Sequence, residues 1–98
     1  MPELRFSWDQ AKAQQNLRKH KVSFEEAETA FLDEQALLLD DPDHSDTEDR
    51  FILLGMTAAL RVLSVCHCVR ESGFLIRLIS ARRATKTEQK EYWERLTK

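Results

Sequence analysis

RFILLGMTAALRVLSVCHCVRESGFLIRLIS, residues 50–80, decides the fold. It holds three apolar runs of strand length, 50–57, 61–70 and 74–80, with Val, Ile and Phe spread through them. Glu71-Ser72-Gly73 has the chemistry of a three-residue hairpin turn. Ala58-Ala59-Leu60 is a poor turn by residue type, which leaves that hairpin's register open. Short connections between consecutive strands predict an antiparallel meander. If Arg70 pairs with Phe74, His67 lies opposite Arg77. The two then share a face with Leu63, Val65, Leu75 and Ile79, while Cys66, Cys68, Ile76 and Leu78 line the other. Both faces are therefore largely apolar. A chain this short has little helix to cover them, so apolar surface is expected to await another chain.

Outward from this core the elements follow by local rules. Thr85 and Glu88 form a capping box, and the chain from there reads as a closing helix. Upstream, ALLL (36–39) is a short strand, followed by the turn-rich polar loop DDPDHSDTEDR (40–50). Ser23 with Glu26 is a second capping box, starting a helix at Phe24 whose Phe24, Ala27, Ala30 and Phe31 recur at core-facing spacing. Asp9 is an N-cap for DQAKAQQNLRKH (9–20), whose last turn carries Arg18, Lys19 and His20. Residues 3–7 make a short opening strand. The order β-α-α-β-β-β-β-α predicts an α+β fold: a small antiparallel sheet with two N-terminal helices and one C-terminal helix.

Ninety-eight residues suit a single small domain spanning 1–98, with 42 % apolar and 33 % charged residues. No run is long enough to span a bilayer, and the N-terminus lacks a secretory pattern. Cys66 and Cys68, two apart on one strand, are badly placed for a disulfide and read as buried thiols, which fits a cytoplasmic protein. The net charge of −2 conceals strong segregation: residues 1–24 carry +3, 25–50 carry −10 and 51–98 carry +5. Such a chain can still present a basic surface.

Three groups of residues could carry chemistry. Arg77, Arg82 and Arg83 gather around one strand end with His67. Guanidinium groups grip phosphate oxygens, and a histidine moves protons near neutral pH. These are the parts for metal-free RNA cleavage, although Arg77 could equally pair with Glu48 or Glu91 as a structural cation. His44, Glu48 and Arg50 put a base, an acid and a cation within seven residues, with too few ligands for a zinc site. Lys12, Arg18, Lys19 and His20 could follow a nucleic-acid backbone or form a solvated helix face. Tyr92 and Trp93 could stack on bases or anchor the last helix to the sheet.

FSWDQAKAQQNLRKHKVSFEEAETAF (6–31), DPDHSDTEDRFILLG (41–55) and IRLISARRATKTEQKEYW (76–93) together resemble the BrnT toxin family. The resemblance covers nearly the whole chain. It implies a RelE/ParE-like fold and the toxin half of a type II toxin–antitoxin pair. It further implies a ribonuclease that halts translation, is neutralised by a ribbon-helix-helix antitoxin, and meets operator DNA only through that antitoxin in a heterotetramer. The family's polar positions fall on Lys12, Lys19, His20, His44, Glu48, Arg50, Arg77, Arg82 and Tyr92. Taken with the residue reading above, Arg77, Arg82, His67, His44 and Glu48 are the expected catalytic residues. Lys12, Lys19, Arg50, Arg83 and Tyr92 are the expected RNA contacts, with no metal or cofactor. Where the family commonly has glycine after Lys-His, this chain has Lys21. Two further readings remain: a non-enzymatic ParE-like gyrase poison, and a degenerate module that only binds antitoxin.

Overall fold

A computed structural model describes residues 3–41 and 50–96. The elements run β1 (Arg5–Ser7), α1 (Gln10–His20), α2 (Phe24–Ala30), β2 (Leu37–Asp40), β3 (Arg50–Met56), β4 (Val62–Arg70), β5 (Leu75–Arg83) and α3 (Lys86–Leu96). The architecture is the predicted α+β, in the predicted order. The sheet is mixed, however, and not purely antiparallel. In the order β1-β5-β4-β3-β2, the strands β2 to β5 form the expected meander, but β1 adds to β5 in parallel. The two helices between β1 and the meander carry the chain back over the sheet, so β1 can run alongside β5.

The capping residues act as read. Asp9 Oδ1 accepts from the Ala11 amide at 2.8 Å, and Ser23 Oγ accepts from Glu26 at 3.0 Å. Lys21 ends α1 at φ 59°, its amide donating to the Leu17 carbonyl. The left-handed exit that glycine favours is thus kept by a lysine.

α2 lays Phe24, Ala27 and Ala30 on one face of the sheet, against Leu53, Leu63, Val65, Ile76, Leu78 and Ala81. Its C-terminal end comes so close that a Cβ on Gly55 would sit 2.8 Å from the Ala30 carbonyl oxygen. α3 packs on the other face, where Tyr92 meets Leu54, Val62 and Ala84. No helix among the described residues is long and apolar enough to cross a membrane.

β1 pairs with β5 only from Leu75 to Arg77. Beyond it, the backbone edge of β5 is taken up by one side chain. Asn16 of α1 accepts from the Ala81 amide at 3.0 Å and donates to the Ala81 carbonyl at 2.8 Å and the Val22 carbonyl at 2.9 Å. Its amide thereby takes the place of a strand partner and leaves no buried ladder group there unpaired.

The β4–β5 register differs from the expected one. Arg70 pairs with Leu75, Cys68 with Arg77 and His67 with Leu78. The turn consumes Phe74 as well, because Glu71, Ser72 and Gly73 all adopt positive φ. A slip of one residue exchanges the faces of a strand, so Arg77 and His67 lie on opposite sides of the sheet. A bulge follows at Ile79, and β5 continues to Arg83 where the sequence reading ended it at Ser80. Arg82 and Arg83 therefore also point to opposite faces.

Two substitutions test this packing. Gly55→Ala should lower unfolding stability by about 1–3 kcal/mol through overpacking against α2, read in a denaturant melt. Asn16→Asp keeps the size but sets a carboxylate against the Ala81 and Val22 carbonyls. It should cost at least about 2 kcal/mol, and an unchanged melting point would contradict the strand-partner role.

Candidate active site on the arginine-bearing face of the sheet

α3 packs on the part of its face near Leu54 and Val62; farther along the same face Cys68 and Ser64 are buried while Arg77 is exposed. Here pairing across neighbouring strands sets side chains in rows. Arg50, Cys68 and Arg77 form one row on β3, β4 and β5. Ile52, Cys66 and Ser80 form the next, and Leu54, Ser64 and Arg82 the third. Strand spacing places the Arg50 and Arg77 backbones roughly 10 Å apart, with Arg82 roughly 13 Å along from Arg77.

The cations of this face are in different states. Arg77 is exposed and has no hydrogen bond or ion pair among the described residues. Arg82 is held by Glu88, Nη1 to Oε1 at 2.7 Å and Nη2 to Oε2 at 3.0 Å. This fork holds the Glu88 carboxyl below the usual range, and Glu88 also accepts from the Thr85 amide at 2.8 Å. One carboxylate thus caps α3 and fixes a guanidinium. Arg50 stands beside the buried Asp41, whose amide donates to the Arg50 carbonyl at 3.4 Å. The Arg50 Nε is buried with no hydrogen-bond acceptor among the described residues.

Cys66 Sγ lies 3.6 Å from Asp41 Oδ2, and burial, with the neighbouring Asp41 charge adding to it, pushes its thiol up to about 11. It is protonated at neutral pH and a poor nucleophile. Both cysteines are free thiols, as read from the sequence.

Lys12, Lys19 and His20 line a cleft of about 250 Å³ between α1 and β5, together with Asn16, Ile79 and Ser80. Ser80 belongs both to this cleft and to the middle row of the arginine-bearing face. The α1 cations therefore flank the Arg77–Arg82 side of the sheet. The sequence left open whether they were a solvated face; their convergence on the β5 bulge is what residue types could not reveal.

Other expected site residues are placed elsewhere. His67 lies among the helices on the opposite face, 1 % exposed, with its ring 4.9 Å from Phe31 and 6.2 Å from Phe51. Its Nδ1 donates to the Val65 carbonyl at 3.1 Å, since a carbonyl can only accept. Burial pushes its pKa down, so it is a neutral core residue and not the companion of Arg77. Tyr92 is 2 % exposed and donates to Asp33 Oδ2 at 2.5 Å. Burial, with Asp33 alongside, pushes its hydroxyl up to about 12. It anchors α3, leaving no ring face for a base. Arg83 points to the other side of the sheet from Arg77 and Arg82. His44 and Glu48 lie outside the described residues. Sequence reasoning missed Asp41, Ser80 and the second duty of Glu88; the sole signal was Glu88, visible only as a capping residue.

With this geometry in place, known proteins can be compared. Residues 8–88 match the family described as the ribonuclease toxin BrnT of type II toxin–antitoxin systems. The chain belongs to this family. The crystal structure of the Brucella abortus ribonuclease toxin BrnT superposes with a TM-score of 0.65 at 22 % identity, covering 85 % of this chain and 99 % of that one. At that identity the likeness speaks for the fold. A search of curated proteins finds no match. Family membership makes the chain the ribonuclease toxin of a toxin–antitoxin pair, with an antitoxin as its partner.

The toxin's buried histidine gives a pH signature. His67 has a lowered pKa when folded and about 6.5 when unfolded, so below that value the unfolded chain binds the extra proton. Its contribution to stability is complete above about pH 6.5 and is lost as pH falls. The melting temperature should drop between about pH 7.5 and about pH 5.5, and His67→Leu should flatten that drop. An equally steep fall in the variant would refute the assignment.

Proposed function

We propose that the toxin cleaves single-stranded RNA internally, without metal, on the arginine-bearing face of its sheet. The observation that carries this reading is the Arg50–Cys68–Arg77 row. It presents an exposed guanidinium with no internal acceptor among the described residues, beside the Lys12–Lys19–His20 cleft. Guanidinium groups free to turn to a phosphate stabilise the charge that develops on a pentavalent phosphorus. A base removes the 2′-OH proton, the 2′ oxygen attacks the adjacent phosphorus, and the bond to the 5′ oxygen breaks as that oxygen takes up a proton. The products are a 2′,3′-cyclic phosphate and a 5′-hydroxyl.

Arg77 grips the scissile phosphate, and Arg82, set by Glu88, stabilises the transition state from the third row. Lys12, Lys19 and Arg50 hold the flanking backbone. His44 acts as base or acid, with Glu48 orienting it or sharing that role. His20, in the α1 cleft, is the described histidine placed to share that role. His67 acts through the fold alone, and so does Tyr92.

The partner in this reading is a ribbon-helix-helix antitoxin that carries the pair to operator DNA, two copies of each chain assembling in the cytoplasm. The outer edge of the sheet supports a protein partner. On β2, Leu38 is 57 % and Leu39 39 % exposed. Residues 25–41 around it carry seven acids and no lysine or arginine, which suits a basic, extended segment.

Arg77→Ala should reduce RNA cleavage at least about 100-fold in the presence of EDTA. Its melting temperature should stay within a degree or two, since the side chain is exposed. End-group analysis of the wild-type products should find the cyclic phosphate. Cleavage at the wild-type rate by the variant, or activity abolished by EDTA, would overturn the mechanism.

A further inference from the structure

A second concavity lies away from the Arg77 row. It encloses about 410 Å³ between the β3–β4 turn and α3, lined by Met56, Leu60, Arg61, Val62, Arg83, Ala84, Gln89 and Trp93. That volume falls in the range of small-ligand pockets, roughly 300–1,000 Å³.

Its walls have three kinds of chemistry. Trp93 is 45 % exposed, yet its ring is braced edge-on against Tyr92, 5.1 Å away, and Tyr92 is fixed by Asp33. It is a rigid aromatic surface facing solvent. Arg83 is exposed and has no hydrogen bond from its guanidinium among the described residues. Arg61 is locked in place, Nε to Glu26 Oε2 at 2.9 Å with a second bond from Nη2 to Oε1. Gln89 donates from Nε2 to the Ala84 carbonyl at 3.2 Å, which leaves its Oε1 to accept. Met56, Val62 and Ala84 supply an apolar floor.

We propose that this cleft binds one nucleotide of single-stranded RNA, its base stacked on Trp93 and its phosphate on Arg83. The inference rests on the ribonuclease reading and adds a subsite to it. An aromatic plane, an exposed guanidinium whose charge interacts with Glu26 but that donates no hydrogen bond among the described residues, and an amide oxygen left to accept together match a base, a phosphate and an exocyclic amine. Arg82 and Arg83 are consecutive and leave opposite faces of β5. The cleft floor of Val62 and Ala84 lies on the α3 face with Arg82, so a strand running along α3 from Arg82 reaches the cleft, where Arg83 comes in from the other side of β5. The subsite explains why Trp93 is left in water while the adjacent Tyr92 is buried. It also gives Arg83 a role that its separation from Arg77 would otherwise remove.

The test uses free toxin and a fluorescent, uncleavable 2′-O-methyl RNA, with binding followed by anisotropy. Trp93→Ala should weaken binding roughly five- to hundredfold, and Trp93→Phe should keep most of it. Arg83→Gln should weaken binding and lower the salt slope by about one phosphate contact. Thermal melts of each variant check the fold. Affinity, cleavage rate and cleavage-site preference all unchanged in Trp93→Ala and Arg83→Gln would overturn the subsite and leave the nuclease reading intact. Wild-type protein that binds this RNA but cleaves none of its 2′-OH counterpart would remove the nuclease reading and leave the subsite. Variants that lose antitoxin binding while keeping RNA affinity would assign the cleft to the protein partner and overturn the proposal.

Discussion

The amide of Asn16 is the joint on which the rest of the structure depends. A short β1 leaves most of the β5 edge without a strand partner, and buried ladder groups without partners are costly. Asn16 donates and accepts at Ala81 as a strand residue would, and also reaches Val22 at the exit of α1. A helix is thereby joined to a sheet edge by hydrogen bonds as well as by packing. That choice fixes where α1 lies, and with it the cleft that presents Lys12, Lys19 and His20. It also covers an edge that would otherwise invite pairing with another chain.

The distribution of helices divides the sheet by task. α2 covers one face with small residues and admits close approach at Gly55. That face holds His67 within the packing, and Arg83 leaves it at the end of β5. α3 covers the other face only beyond Leu54, held by Tyr92 on Asp33 and by Glu88 at its N-terminus. The remainder keeps arginines in rows over a floor of Cys66, Cys68 and Ile52. The weakly hydrated guanidinium is the cation best suited to stand over such a floor.

Much of this was legible in the sequence, and the reasons are local. Capping boxes at Ser23 and Thr85, the N-cap at Asp9 and the aliphatic runs from 50 to 80 each depend on a few neighbouring residues. Element order and type followed from them, and the three linked motifs gave the family. What failed was long-range or depended on one dihedral. The parallel pairing of β1 with β5 joins residues some seventy positions apart and leaves no local pattern. The exchange of faces between His67 and Arg77 came from Phe74 entering the turn, which required a positive φ at Glu71 and Ser72. Neither residue type announces that conformation. Arg82 read as part of a cluster of three because the strand seemed to end at Ser80; the bulge at Ile79 and the Asn16 bonds carry it on to Arg83.

The double duty of Glu88 has a consequence for the order of synthesis. A nascent chain that has just released Arg83 from the ribosome already owns every arginine of the sheet, yet not the carboxylate that orients Arg82. Nor has it made the tyrosine that seats the last helix on Asp33. Messages cut short, or translation that stalls before that helix, would yield fragments unable to assemble the third row. The third row is therefore complete only once the start of α3 has been made.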